Sequence, residues 1–143
     1  MKGADVEARI RRSFARQGYM TAIGAELVHV AAGEVDIALP FSERLTQQDG
    51  YIHAGVVAGV TDSACGHAAL TTMEANAEVL TVEFKINLLA PAAGEQLVAR
   101  GRVLRTGRTL TVCRGDAVTM SDGEQKHVAT LTATLMAIVR RPG

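Results

Sequence analysis

HAGVVAGVTDSACGHAALTTM, residues 53–73, is the stretch on which the fold turns. It is the one segment long enough for a major helix. It is apolar nearly all the way round, so it belongs inside the protein rather than on its surface. Ala54, Gly55, Ala58, Gly59, Ala64, Gly66, Ala68 and Ala69 keep it slender. Each glycine costs a helix up to about 1 kcal/mol relative to alanine. That cost is offset when the helix backbone must lie close against another element, most simply a curved sheet.

The flanks supply the sheet. Upstream, Val6, Ile10 and Phe14 recur at i, i+4 and i+8 in a short amphipathic helix over residues 4–17, with Gly18 as its stop. Residues 23–30 read as a strand, and Val35, Ile37 and Leu39 alternate in a second strand that Pro40 ends. FSERLTQQDGYI, residues 41–52, is a polar connecting loop. Downstream, residues 79–89 carry the cleanest two-residue period in the chain. Leu80, Val82, Phe84, Ile86 and Leu88 are expected on one face, and Thr81, Glu83, Lys85, Asn87 and Leu89 on the other. Strands over 95–105, 109–120 and 126–139 follow, joined by short turns, of which Ser121-Asp122-Gly123 is a hairpin signal. In the last strand Ala129, Leu131, Ala133, Leu135, Ala137 and Val139 are expected inside, with Val128, Thr130, Thr132 and Thr134 facing away. Strands joined by turns, with the helices set apart, imply an α+β fold: an antiparallel sheet covering a helix.

Composition narrows the function classes. The 143 residues carry 15 basic and 15 acidic side chains, so formal charge is zero. That excludes a phosphate-tracking nucleic-acid binder and a polybasic membrane-surface protein. The length fits one domain, residues 1–143. Aromatics are only 3% and Trp is absent, so Val, Leu, Ile and Ala must fill the core. MKGADVEARIRRSFARQG at the start has no apolar centre, and no run of about 20 apolar residues occurs. A cytoplasmic, soluble protein is expected. Cys65 and Cys113 are read as buried thiols in a reducing compartment. The four His are too scattered to ligate a metal.

The polar residues of 46–63 are the candidates for chemistry. His53 and Gly55 lie where loop becomes helix, and the unpaired N–H groups of a first helical turn suit an oxyanion or a polarised carbonyl oxygen. His53 is expected to orient the loop by bonding a backbone carbonyl. Asp62 interrupts an apolar helix, where a carboxylate is costly unless partnered or functional; it is either a functional group or a solvent-facing or capping residue. His53 and Asp62 are nine positions apart, about 13.5 Å of rise and about 900° of rotation, so they point to opposite sides. A site using both needs two antiparallel copies of this helix, one from each subunit. His67 is expected elsewhere on the helix, and His29 and His127 are read as structural strand residues. Cys65 has no activating base and is no nucleophile.

The polar loop, then His53-Ala54-Gly55, then an acid nine residues after the His, resembles the hotdog-fold thioesterases of the PaaI-like branch. TVEFKINLLAPAAGE and VLRTGRTLTV extend the likeness over nearly the whole chain. The resemblance implies a hotdog fold and hydrolysis of an acyl-CoA to a carboxylate and free CoA, with no cofactor beyond the CoA of the substrate. It implies that the N–H of Ala54, with that of Gly55, polarises the thioester carbonyl. Asp62 of the opposite subunit is then general base or nucleophile. Thr81 orients the water, Gln47 or Gln48 fills a polar loop role, and Arg105 and Arg108 suit the CoA phosphates. The family's usual Gly and Asn are Ala54 and Gln47 here. Partners are the acyl-CoA substrate and further copies of the chain, as a homodimer or a dimer of dimers (homotetramer). Two rival readings remain: a hotdog enoyl-CoA or hydroxyacyl-thioester dehydratase, and a non-catalytic acyl-CoA-binding module.

Overall fold

A computed structural model describes residues 3–140. Six strands form one antiparallel sheet in the order β1-β2-β4-β5-β6-β3. These are β1 (Glu26–Ala31), β2 (Glu34–Pro40), β3 (Ala77–Leu88), β4 (Gln96–Thr106), β5 (Leu110–Ser121) and β6 (Glu124–Val139). The long helix α3 (Ala54–Leu70) packs on β2 through β6, so the sheet wraps it. The fold is α+β, as expected. Among the described residues, no helix is long and apolar enough to cross a membrane.

Twelve of the seventeen residues of α3 are buried. Two strand glycines let the helix come this close. Gly101 on β4 and Gly115 on β5 are register partners. A Cβ on Gly101 would collide with the Ala64 carbonyl group. One on Gly115 would stand 2.6 Å from Thr61 Cγ2 and 2.8 Å from Cys65 Sγ. The small residues of the helix and this glycine pair are two sides of one contact. Cys65 and Cys113 are both free and fully buried there. Burial pushes the Cys113 thiol up to about 12 and the Cys65 thiol higher still, so both stay protonated at neutral pH.

The N-terminal region corrects the sequence reading. Helix α1 (Gly3–Ala15) buries Ile10, with Val6 and Phe14 packed on the core as the spacing predicts. Gly18 is not a stop: it opens a second helix, α2 (Gly18–Ile23). The real stop is Gly24, at φ 80°, whose N–H reaches the Met20 and Thr21 carbonyls; a left-handed cap of this kind favours glycine. Strand β1 therefore starts at Glu26 rather than at residue 23. Arg9 donates to the carbonyls of Leu70, Met73, Glu74 and Ala77, closing the far end of α3.

Two bulges correct the strand faces. On β3 the register with β6 slips between Thr81 and Glu83. One extra residue there turns the side chains beyond it to the other face. Thr81, Phe84, Ile86 and Leu88 all stand opposite buried β6 residues (Leu135, Ala133, Leu131 and Ala129), whereas Leu80 stands opposite Met136 on the outer face. Leu80 and Ile86 thus do not share a face, and Thr81 faces the helix. On β6 the slip at Ala117/Val118 buries Val128 in the core, not outside. Val139, expected inside, is 49% exposed. The hairpin signal holds: Asp122 and Gly123 take φ 49° and 78°, the pair of positive values a two-residue turn between twisted strands needs.

Candidate active site

The loop before α3 is tied down by its own backbone. Gln47 N–H donates to Tyr51 O, His53 N–H to Leu45 O, and Ile52 N–H to Ala92 O. Gly50 makes the reversal at φ 86°. This delivers His53 to the N-cap of α3, where its ring Nδ1 accepts from Gly55 N–H at 2.8 Å. The expected ring-to-carbonyl bond is therefore replaced by its reverse. The exchange has a consequence for the first turn. The Gly55 N–H is taken by His53, while among the described residues Ala54 N–H has no acceptor. One free donor with partial positive charge remains at the helix start.

Ala54 lines a cavity of about 490 Å³, with Gln47, Tyr51, Val57, Leu88 and Pro91 among its other residues. Most of its wall is apolar. Gln47 belongs to it, and its Oε1 accepts from the Asp49 and Tyr51 N–H groups, leaving the –NH2 end free. Gln48 is exposed and does not line the cavity, so the structure separates the two amides that the sequence left side by side.

Asp62 lies further along α3 in a different cavity, of about 280 Å³, and no residue lines both. Thr81 on β3 donates its hydroxyl to Asp62 Oδ1 at 2.7 Å, a meeting made possible by the inward turn of Thr81. Burial raises the Asp62 pKa above the usual carboxylate range; the Thr81 bond and His67 pull it back in part. The sequence reading missed most of this cavity's wall: Ser13, Arg16 and Gln17 from the α1–α2 region, Ser63, Gly66 and His67 from α3, and Glu78 and Val79 from β3. His67, expected elsewhere, shares the cavity with Asp62. The i, i+4 spacing of Ser63 and His67 could have signalled a common face.

Arg105 and Arg108 line neither cavity. Arg105 pairs in register with Val112, which stands in the row of Thr134 and Glu83, on the face of the sheet away from α3. His29 and His127 form exposed pairs with Glu34 and Asp116. No three His, Cys, Asp or Glu side chains converge as a metal would require, among the described residues.

The sequence profile of the thioesterase superfamily matches residues 49–126, which include the end of the loop, both cavities' α3 residues and Thr81. A thioesterase family protein from Silicibacter pomeroyi is 48% identical, with 94% of this chain and 99% of that one superposed at a TM-score of 0.93. The PaaI protein of the Escherichia coli phenylacetic acid degradation operon is 18% identical, covers 95% of both chains and superposes at 0.86, a likeness of fold. Human acyl-coenzyme A thioesterase 13 is 31% identical over 68% of this chain and 70% of its own. The chain spans 64% and 59% of the length of two further curated relatives, esterases by name, from Saccharolobus solfataricus.

Proposed function

The chain belongs to the thioesterase superfamily, and from that membership we propose that it is an acyl-CoA thioesterase whose active site is shared between two subunits. The observation that carries this is the split along α3. A partly buried carboxylate held by a hydroxyl and a free helix-terminal N–H sit in separate cavities, each half of a hydrolytic site.

The edge strand β3 is the natural seam. It runs twelve residues along one edge of the sheet, and Val82, Phe84 and Leu88 are 56%, 45% and 53% exposed. Long apolar edges are liabilities unless covered. A second copy laid antiparallel along this edge would continue the sheet through a two-fold axis. Each Asp62 would then approach its partner's helix start.

In the complete site the thioester carbonyl oxygen accepts from Ala54 N–H of one subunit. Asp62 of the other takes a proton from water as the water oxygen bonds to the carbonyl carbon. The C–S bond then breaks, the thiolate takes that proton from Asp62, and the new carboxylic acid gives its remaining proton to solvent, so that carboxylate and free CoA leave. Thr81 spends its hydrogen on Asp62 and keeps its oxygen lone pairs for the water. The free –NH2 of Gln47 faces the neighbouring cavity as a donor. The negative charge that builds on the carbonyl oxygen is what a helix-terminal donor stabilises.

The test is complementation. Asp62→Asn and Ala54→Pro each cripple one half; proline is tolerated at a first helical position and removes only the N–H in question. His53, at φ −57° and ψ 137°, already has the extended backbone that a following proline demands. Each pure variant is expected to release little thiol from an acyl-CoA. Refolded together in equal amounts, they should recover about a quarter of wild-type turnover, one intact site in half the dimers. Mixed chains no more active than the pure variants would refute the shared site.

A further inference from the structure

The cavity beside Asp62 holds a second buried group that the hydrolysis does not use. His67 is 5% exposed. Its Nδ1 lies 2.8 Å from the Ser63 carbonyl oxygen, which can only accept, so Nδ1 carries the ring proton. Burial holds the ring's pKa below the usual imidazole range. The ring is neutral at pH 7, and Nε2 is a bare acceptor. Phe14 packs edge-on at 5.7 Å and fixes the ring's plane. Every side-chain nitrogen or oxygen sealed from solvent has a partner, among the described residues. Nε2 has none, so it opens onto the cavity that His67 lines. Beside it, Gln17 Oε1 accepts from the Ser63 hydroxyl at 2.7 Å, which leaves the Gln17 –NH2 as the free end.

Resting on the thioesterase reading, we infer that His67 Nε2 and the Gln17 –NH2 select the acyl part of the substrate: a short acyl group that carries its own hydrogen-bond donor, such as a hydroxyl or amide, in preference to a plain alkyl chain. The reacting carbonyl carbon must sit within reach of Asp62, so whatever enters this cavity is attached to that carbon. A cavity of about 280 Å³ cannot hold the nucleotide end of CoA; the acyl group is the arm short enough to end there. Its wall is rich in acceptors: the Asp62 and Glu78 carboxylates and Nε2, with the Arg16 guanidinium and the Ser13 hydroxyl as further polar groups. A donor satisfies Nε2, and a hydroxyl oxygen or amide carbonyl satisfies Gln17. An alkyl chain strips both groups of water and gives nothing back, the situation in which a polar site rejects its apolar analogue.

The experiment compares thiol release from butyryl-CoA, 4-hydroxybutyryl-CoA and octanoyl-CoA by wild type, His67→Leu and Gln17→Leu. Wild type should prefer the hydroxylated chain over butyryl by about tenfold or more in kcat/KM. His67→Leu should bring that ratio to one or below, whatever it does to the absolute rates. A merely structural His67 would slow both substrates alike. Gln17→Leu carries the test if the buried variant does not fold. A wild-type preference for butyryl or octanoyl, or a ratio unmoved in both variants, overturns the inference while leaving the thioesterase reading intact. Thiol release from none of the three overturns both.

Discussion

The two cavities along α3 make opposite use of one helix. At its start, the chemistry is backbone: one N–H, left free at the first turn beside the N–H that the His53 ring occupies, next to an apolar chamber that includes Val57, Leu88 and Pro91. Two turns on, the chemistry is side chain: a carboxylate gripped by Thr81 and walled by Arg16, Gln17, Ser63 and His67. The backbone donor is set by where the helix begins and needs no special residue. The carboxylate is set by its neighbours and depends on a bulge in another strand. The difference teaches that the two halves should fail differently.

The largest effect is expected at the side-chain half. Asp62→Asn should lower kcat by about 10³, within the range for loss of a general base. The same ionisation should shape the wild-type pH profile. If Asp62 is the proposed base, activity needs its charged form, and burial raises its pKa, so turnover should fall with decreasing pH at a point above the usual Asp range. An acid limb at or below the ordinary Asp value would break the distinction between the halves. Next comes the backbone half. Ala54→Pro should cost about 10²–10³ in kcat, the typical loss of one oxyanion donor, while circular dichroism stays that of wild type. Activity equal to wild type would show that the Ala54 N–H is not the donor.

The smallest effect concerns stability and reverses the sign. A raised carboxyl pKa means that folding favours the protonated form. This contribution is fully present below the unfolded carboxyl pKa and is lost as pH rises through the higher folded value. At neutral pH the charged Asp62 is a cost that Asn does not carry. Asp62→Asn should melt about 2–5 °C above wild type at pH 7. That gap should close as the pH is lowered towards about 4. A variant that melts below wild type at pH 7 would show that the Thr81 bond outweighs burial.

Much of this was legible in the sequence, and the exceptions have physical reasons. The helix, the antiparallel strands and the opposed placement of His53 and Asp62 follow from periodicity and helical rotation. The phase of β3 beyond Thr81 does not, because a bulge adds a residue without changing the apolar alternation that precedes it. Val128 escaped for the same reason. Residues 18–23 are too short and too uniformly apolar to separate helix from strand, and only the left-handed Gly24 decides. The bond from Gly55 to His53 reverses a local expectation, since an imidazole can accept as well as donate. Gln17 reached the Asp62 cavity only through the packing of the α1–α2 region on α3, a contact that no spacing within one segment encodes.

The Gly101–Gly115 pair has a consequence for how this protein can vary. At these two strand positions an added methyl would strike α3, so the sheet side of the helix is fixed there. The opposite side is looser: a Cβ on Gly66, in the wall of the Asp62 cavity, would touch nothing within 4 Å. A side chain at Gly66 would therefore find space beside the carboxylate while the helix is held from behind. The molecule keeps its inheritance and its experiments on two sides of the same helix.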